Sequence, residues 1–203
     1  MGTRHRTAST ELESRILDAA LELLGHGGIE ALTVRGIATR ANVAPMGIYN
    51  HFAGKMGIYE ALWIEGFDRL TASMELAQTT INLRDDVIDC GRRYRNFALA
   101  NPSHYRLMFM DDIRDFTPSP VAAAASGRAF QIVVNRVERA QAAHVFPNSR
   151  AIDIAQGIWA AVHGYVSLEL LSVNFASDAH DAYDSLLGAV FDGFASRGSN
   201  AKD

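Results

Sequence analysis

The sequence predicts an all-α protein, and three observations carry that prediction. Apolar residues recur at three- and four-residue spacing through most of the 203 residues. No stretch alternates apolar and polar residues as a half-buried strand would. The breaks between periodic segments carry helix start and stop residues, among them Thr33, Pro45, Asn101-Pro102 and Pro147-Asn148-Ser149. The segments group into an N-terminal three-helix unit, residues 1–56, joined by one long helix to a C-terminal helical body, residues 57–203.

The first helix is expected over Thr10–Gly25. Thr10 and Glu13 have the spacing of a capping box, and Leu12, Ile16, Ala19, Ala20, Leu23 and Leu24 form its apolar stripe. Gly25, Gly27 and Gly28 end it. They are no phosphate loop, since no strand precedes them and no Gly-Lys-Ser/Thr ending follows. Ahead of this helix, Met1–Ser9 carries Arg4, His5 and Arg6. It reads as a loose tail or as an arm that reaches a DNA backbone.

Thr33–Lys55 reads as two short helices and a tight turn. Thr33 is an N-cap, and Val34, Ile37, Ala38 and Ala41 share one face. Asn42 sits where the chain reverses, and asparagine tolerates the left-handed conformation such a turn needs. Pro45 suits the first turn of the second helix, where an N–H would find no intrahelical partner. Ile48 and Phe52 face inward, which leaves Met46, Gly47, Tyr49 and Asn50 outward. This is the plan of a helix-turn-helix, whose second helix enters the DNA major groove.

The long helix is expected from Lys55 to about Gln78, with Ile58, Leu62, Phe67, Leu70 and Met74 inward. Helices over Leu83–Ala100 and Pro102–Phe109 follow, then a loop over Met110–Pro120 and a helix over Val121–Ala143. Ile152–Leu171 reads as a buried helix. A cap at Ser177 or Asp178 starts the last helix, which carries Ala182, Tyr183, Leu186, Leu187, Val190, Phe191 and Phe194.

Composition narrows the function. Apolar residues make up 48%, enough for a buried core. The single Cys90 excludes an internal disulfide and suits a reducing cytoplasm, where the protein is expected. No signal-peptide h-region appears near the start. Ile152–Val173 approaches membrane-spanning length, but Gln156, His163 and Glu169 and the lack of basic flanks argue against a span. Net charge is −4, unevenly placed. Residues 1–58 hold six basic and five acidic side chains, and residues 59–203 hold thirteen and eighteen. The acidic remainder argues against nonspecific coating of nucleic acid.

Thr33–Ala38 (T-x-R-x-I-A), Ala41, Val43 and Ile48–Lys55 (I-Y-x-H-F-x-x-K) together resemble the DNA-binding domain of the TetR family of transcriptional regulators. The match covers roughly residues 10–59. The sequence departs from the family at Asn42, where glycine is usual, at Ala44, usually Ser or Thr, and at Gly47, where a hydroxyl is common. The resemblance implies contacts to a near-palindromic double-stranded operator from Thr33, Arg35, Ala44, Pro45, Met46, Gly47, Tyr49, His51 and Lys55. An outward Tyr49 suits a phosphate, and Lys55 at a helix start is better placed with an anion nearby. Met46 reads equally as a surface apolar residue or as a contact to a thymine methyl.

Asn101-Pro102-x-x-Tyr105-Arg106-Leu107-Met108-Phe109 and Trp159-x-x-x-His163-Gly164 resemble one C-terminal type in that family, sometimes named for its Trp-His-Gly motif. This second resemblance implies a homodimer formed through the last two helices and a pocket in each body. The residues expected to bind a largely apolar small molecule are Phe67, Tyr94, Phe97, Tyr105, Met108, Phe130, Trp159 and His163. Trp159 and His163 read equally as core residues satisfied by local hydrogen bonds.

Arg92, Arg93 and Arg95 surround Tyr94 without sharing a face and read as a solvated, salt-bridged surface beside Asp85, Asp86 and Asp89. His104, Asp111, Asp112 and Asp115 lack metal-site spacing, so neither a metal nor another cofactor is expected. Cys90, with Arg92 its nearest cation in sequence, reads as a buried inert thiol. The expected function is that of a ligand-responsive transcriptional repressor, not an enzyme. The rivals are an all-α enzyme using Tyr94, Tyr105 and His163, and a DNA-binding dimer with no ligand.

Overall fold

The structure, a computed structural model, describes residues 2–77, 81–111, 113 and 116–199, with side chains of residues 2–8 and 197–199 excepted. The described residues form nine helices and no strand, as expected. They are α1 (Gly2–Ala31), α2 (Val34–Ala41), α3 (Pro45–Phe52), α4 (Lys55–Glu75), α5 (Leu83–Ala100), α6 (Pro102–Phe109), α7 (Pro120–Ala142), α8 (Ala151–Leu170) and α9 (Ala179–Ser199).

Packing divides the chain into two compact units that do not follow chain order. The first comprises residues 1–67 and 101–124, and the second residues 68–100 and 125–203. In the first unit α1 packs on α2 and α6, and α2 packs on α3. Ile16, Ala20, Leu24, Leu32, Ile37, Ile48, Ile58, Leu62 and Leu107 form its core. In the second unit α5, α8 and α9 pack on one another. Tyr183 Oη donates to the Gly91 carbonyl at 2.7 Å, which locks α9 to α5 at a fully buried point.

Several elements differ from expectation. The first helix begins at Gly2, well before Thr10, so Gly2–Ser9 is helical rather than a loose tail. Glu13 serves no capping box: it accepts from Ser9 Oγ at 3.2 Å and lies 3.0 Å from His51 Nδ1. The side chains of Arg4, His5 and Arg6 lie outside the described set. Among the glycines after α1's apolar stripe, Gly28 makes the break, at φ 62° and ψ −162°, a conformation open to glycine and costly for other residues. α4 ends at Glu75, short of Gln78. Arg136 Nη2 donates to the Met74 carbonyl at 3.3 Å, satisfying one acceptor of that helix end. α8 is buried along one face only: Ile154, Ala155, Ile158, Val162 and Val166 face the core, while Ile152, Leu168 and Leu171 are exposed. Mean apolarity cannot distinguish a helix buried on all sides from one with a spare apolar face.

Two charged groups are also placed differently. Arg95 is not solvated: its Nε donates to Glu169 at 2.7 Å and its guanidinium lies 5.5 Å from the Tyr183 ring centre, so it braces α5, α8 and α9. Asp86 is buried and paired with Arg136, Nε to Oδ1 at 3.3 Å, and with Arg139. Arg92 and Arg93 do behave as surface ion pairs, with Asp184 and Asp89. The last helix is capped by Asp178, whose Oδ1 accepts from His180 N at 2.8 Å and Asp181 N at 3.0 Å. Those N–H groups hold its carboxyl below the usual carboxylate range.

Candidate nucleic-acid interface and interior site

Local chemistry builds the α2–α3 turn. Thr33 Oγ1 accepts from Gly36 N at 3.0 Å and starts α2. Asn42 closes it in the left-handed region, φ 53° and ψ 54°. Val43 N donates to the Ala38 carbonyl at 3.0 Å, so the reversed chain stays hydrogen-bonded. Pro45 opens α3, and Ala44 supplies no side-chain cap. With no hydroxyl there, the start of α3 relies on the backbone, where Gly47 N donates to the Ala44 carbonyl at 2.8 Å.

Ile48 is wholly buried and fixes the roll of α3. Its neighbours then face out: Met46 is 65% exposed and Tyr49 55%. Asn50 is exposed and Gly47 half-buried. Both side chains stand on the solvent side of α3, and the Tyr49 ring edge lies over Gly54. His51 is tied to α1 through Glu13. Thr33 and Arg35 at the start of α2 are exposed, and Thr33 keeps its hydroxyl on Gly36. Lys55, half-buried, lies with Nζ 5.1 Å from the Tyr59 ring centre, a cation–π contact.

Three supports were not evident from sequence spacing. Arg15 Nη2 donates to the Ala41 carbonyl at 2.6 Å and to that of Asn42 at 3.4 Å, which clamps the turn to α1. Ala53, between α3 and α4, adopts φ 53° and ψ 30°. A side chain at Gly57 would place Cβ 1.5 Å from the Phe52 carbonyl oxygen, so only glycine lets the end of α3 lie on the start of α4. The first contact joins residues far apart in sequence. The other two were signalled only by glycines at 54 and 57.

The residues expected to bind a small molecule fall in both units. Phe67, Tyr105 and Met108 are buried in the first unit. Tyr94, Phe97, Phe130, Trp159 and His163 belong to the second. Four of those five form one group. Tyr94 Oη lies 3.1 Å from His163 Nδ1 and accepts from Trp159 Nε1 at 3.3 Å. His163 Nε2 lies 3.4 Å from Ser167 Oγ, and Phe130 stacks at a tilt on Trp159 with ring centres 5.5 Å apart. Burial holds the His163 pKa below its ordinary value. Beside this group is a small cavity of about 30 Å³, lined by Cys90, Tyr94, Arg136, Ile158, Trp159 and Val162 among others. That is room for about one or two waters, whereas ligand pockets run from roughly 300 to 1,000 Å³. Burial also pushes the Cys90 thiol up to about 11, and the cations acting on it are Arg136 and Arg93, not Arg92. Gly164 admits no close neighbour within the chain, since a Cβ there would meet nothing within 4 Å.

Among the described residues no group of three or more His, Cys, Asp or Glu side chains is arranged to hold a metal. Asp112 and Asp115 lie outside them. No described helix is long and apolar enough to cross a membrane.

An N-terminal helix-turn-helix with an exposed second helix, followed by a further helical unit, defines a DNA-binding transcriptional regulator. The chain belongs to the TetR family: the family described as "Bacterial regulatory proteins, tetR family" matches residues 16–62, and "Tetracyclin repressor-like, C-terminal domain" matches residues 87–190. Family members are transcriptional regulators, not enzymes. The chain is 27% identical over 93 residues to the HTH-type transcriptional regulator YobS of Bacillus subtilis, covering 46% of this chain and 49% of that one. The chain thus spans about half the length of that relative. It is 25% identical over 168 residues to the HTH-type transcriptional regulator Rv0681 of Mycobacterium tuberculosis, covering 83% and 74% of the two chains. A solved structure of a protein of unknown function from Rhodococcus sp. RHA1 superposes with TM-score 0.81 at 25% identity, covering 91% of this chain and 95% of that one.

Proposed function

We propose that the protein is a cytoplasmic, homodimeric repressor that leaves a near-palindromic operator when a largely apolar small molecule binds its helical body. The observation that carries the DNA role is the outward pair Met46 and Tyr49 on α3, fixed by buried Ile48. Residues 1–56 read the operator, through Thr33, Arg35, Ala44, Pro45, Met46, Gly47, Tyr49, His51 and Lys55. Residues 57–203 carry dimerisation and ligand response. The ligand meets the aromatic set around Tyr94, Trp159 and His163, and the Trp159–His163–Gly164 run is our reason for assigning the Trp-His-Gly type. Support for coupling comes from α4, one uninterrupted helix that begins at Lys55 beside α3 and ends at Glu75. A ligand shifts such an equilibrium only by its preference between two states, and coupling of about 1–3 kcal/mol is typical.

Selection of bound DNA from random oligonucleotides tests the DNA role and returns the site. Ligand affinity is then measured with and without saturating operator. A lower affinity with operator supports release, and equal affinities sink it. The small size of the interior cavity favours a second reading, a DNA-binding dimer with no ligand in the second unit. Failure of every apolar compound tested to perturb Trp159 fluorescence would favour that reading.

A further inference from the structure

The first unit holds a larger cavity, of about 260 Å³, between α4, α6 and the loop after α6. Its lining includes Trp63, Leu107, Met108, Phe109, Asp111 and Phe116. Trp63 Nε1 and Asp111 Oδ2 are buried and have no hydrogen-bond partner among the described residues. Tyr59 Oη, one turn earlier on α4, is a third such atom. Both rings pack on Phe116, Tyr59 edge-on at 6.4 Å and Trp63 tilted at 5.7 Å. Buried polar groups are nearly always paired, with protein, water or ligand. Asp86, wholly buried, is met by two guanidinium groups, whereas Asp111 is partly exposed with its Oδ2 alone inaccessible. At Asp111 aromatic and aliphatic surface lines the cavity instead.

We propose that this cavity binds a small aromatic cation. A protonated amine would meet the Asp111 carboxylate and lie against the aromatic faces of Trp63, Phe109 and Phe116, where cations are attracted. An acceptor on the ligand would take the Trp63 N–H. The volume suits a molecule of one or two rings. Trp63 and Phe116 also pack on the core that includes Ile37 and Ile48, so the occupant would touch the packing beneath α2 and α3. The proposal does not depend on ligand response in the second unit.

The test uses the full chain and tryptamine as probe, followed by calorimetry, with indole-3-propionate as the anionic counterpart of the same ring. Tryptamine should bind saturably and indole-3-propionate should not compete. Asp111→Asn should weaken tryptamine roughly tenfold or more, as loss of a charge-assisted contact does, with an unchanged melting temperature. Trp63→Phe, which keeps an aromatic ring and removes the N–H, should weaken it less and serves if Asp111→Asn does not fold. The proposal is overturned by absence of saturable tryptamine binding, by equal affinity in wild type and both variants, or by indole-3-propionate binding as well as tryptamine.

Discussion

Tyr94 on α5 and His163 on α8 share a proton's worth of geometry: Oη to Nδ1 is 3.1 Å, and the same hydroxyl oxygen accepts from Trp159 Nε1. A phenol oxygen keeps a second lone pair, so the Tyr94 hydroxyl bonds His163 Nδ1 in either tautomer of the ring. Burial favours the neutral ring, whose other nitrogen, Nε2, lies 3.4 Å from Ser167 Oγ.

Charging the His163 ring costs desolvation inside this packed group, and that burial lowers its folded-state pKa from 6.5. The unfolded chain binds that proton more readily than the folded one. Stability from this group is therefore full above about 6.5, falls as pH drops through that value, and levels off below the folded pKa. Thermal melts should show a smaller acid-side loss in His163→Gln than in the parent. An identical slope in both proteins would contradict a burial-lowered His163.

Ala53 sits in the left-handed region without glycine's freedom. Ala53→Gly should raise stability by about 0.5–1 kcal/mol, the relief of the Cβ clash less the added entropy of the unfolded chain. Urea denaturation reads this as a higher midpoint with an unchanged slope. Thr33→Ala should act in the opposite sense, by about 1 kcal/mol, because Gly36 N loses its cap.

On DNA, Lys55→Ala should weaken binding to all sequences alike and lower the salt slope by about 1, as loss of one phosphate contact does. Tyr49→Ala should weaken binding without changing that slope, since the phenol carries no charge. Met46→Ala should change which base is preferred at one position of each half-site. Full affinity in Tyr49→Ala would place α3 differently on the groove.

For assembly, the face of α8 opposite its buried residues carries Ala160, Gly164 and Leu168, small enough near the middle for another helix to lie close. If the proposed dimer forms through this face, Ala160→Arg and Leu168→Arg should give folded monomers by sedimentation and circular dichroism where the parent sediments as a dimer. Leu187→Arg is a poor probe of the proposed dimer, because Leu187 is buried against α5: a Cβ at Gly91 would come within 2.5 Å of its Cδ2. That variant should unfold the second unit.

Sequence reading succeeded where the cause was local. The Thr33 cap, the left-handed Asn42 and Pro45 at the start of α3 each depend on a few neighbouring residues, and all three appear as expected. The Tyr94, Trp159 and His163 group was half legible, since a four-residue spacing places Trp159 and His163 on one face. It could not supply Tyr94's bonds to them, across 65 and 69 positions. Arg15 at the turn and Arg95 on Glu169 were invisible for the same reason. The start of α1 was missed because a plausible capping pair at Thr10 and Glu13 competes with simple continuation of the helix.

The return of residues 101–124 to the first unit bears on transplantation. A hybrid regulator made by joining residues 1–56 to a foreign body would leave behind Ile58, Leu62 and Leu107, which fill the core beneath the helix-turn-helix, and Ile113 and Phe116, which pack on it. Such a graft would present the same recognition helix over a hollowed base. A graft that keeps its footing has to carry two separate stretches of chain, spliced within α4 and again at the ends of the α6 segment.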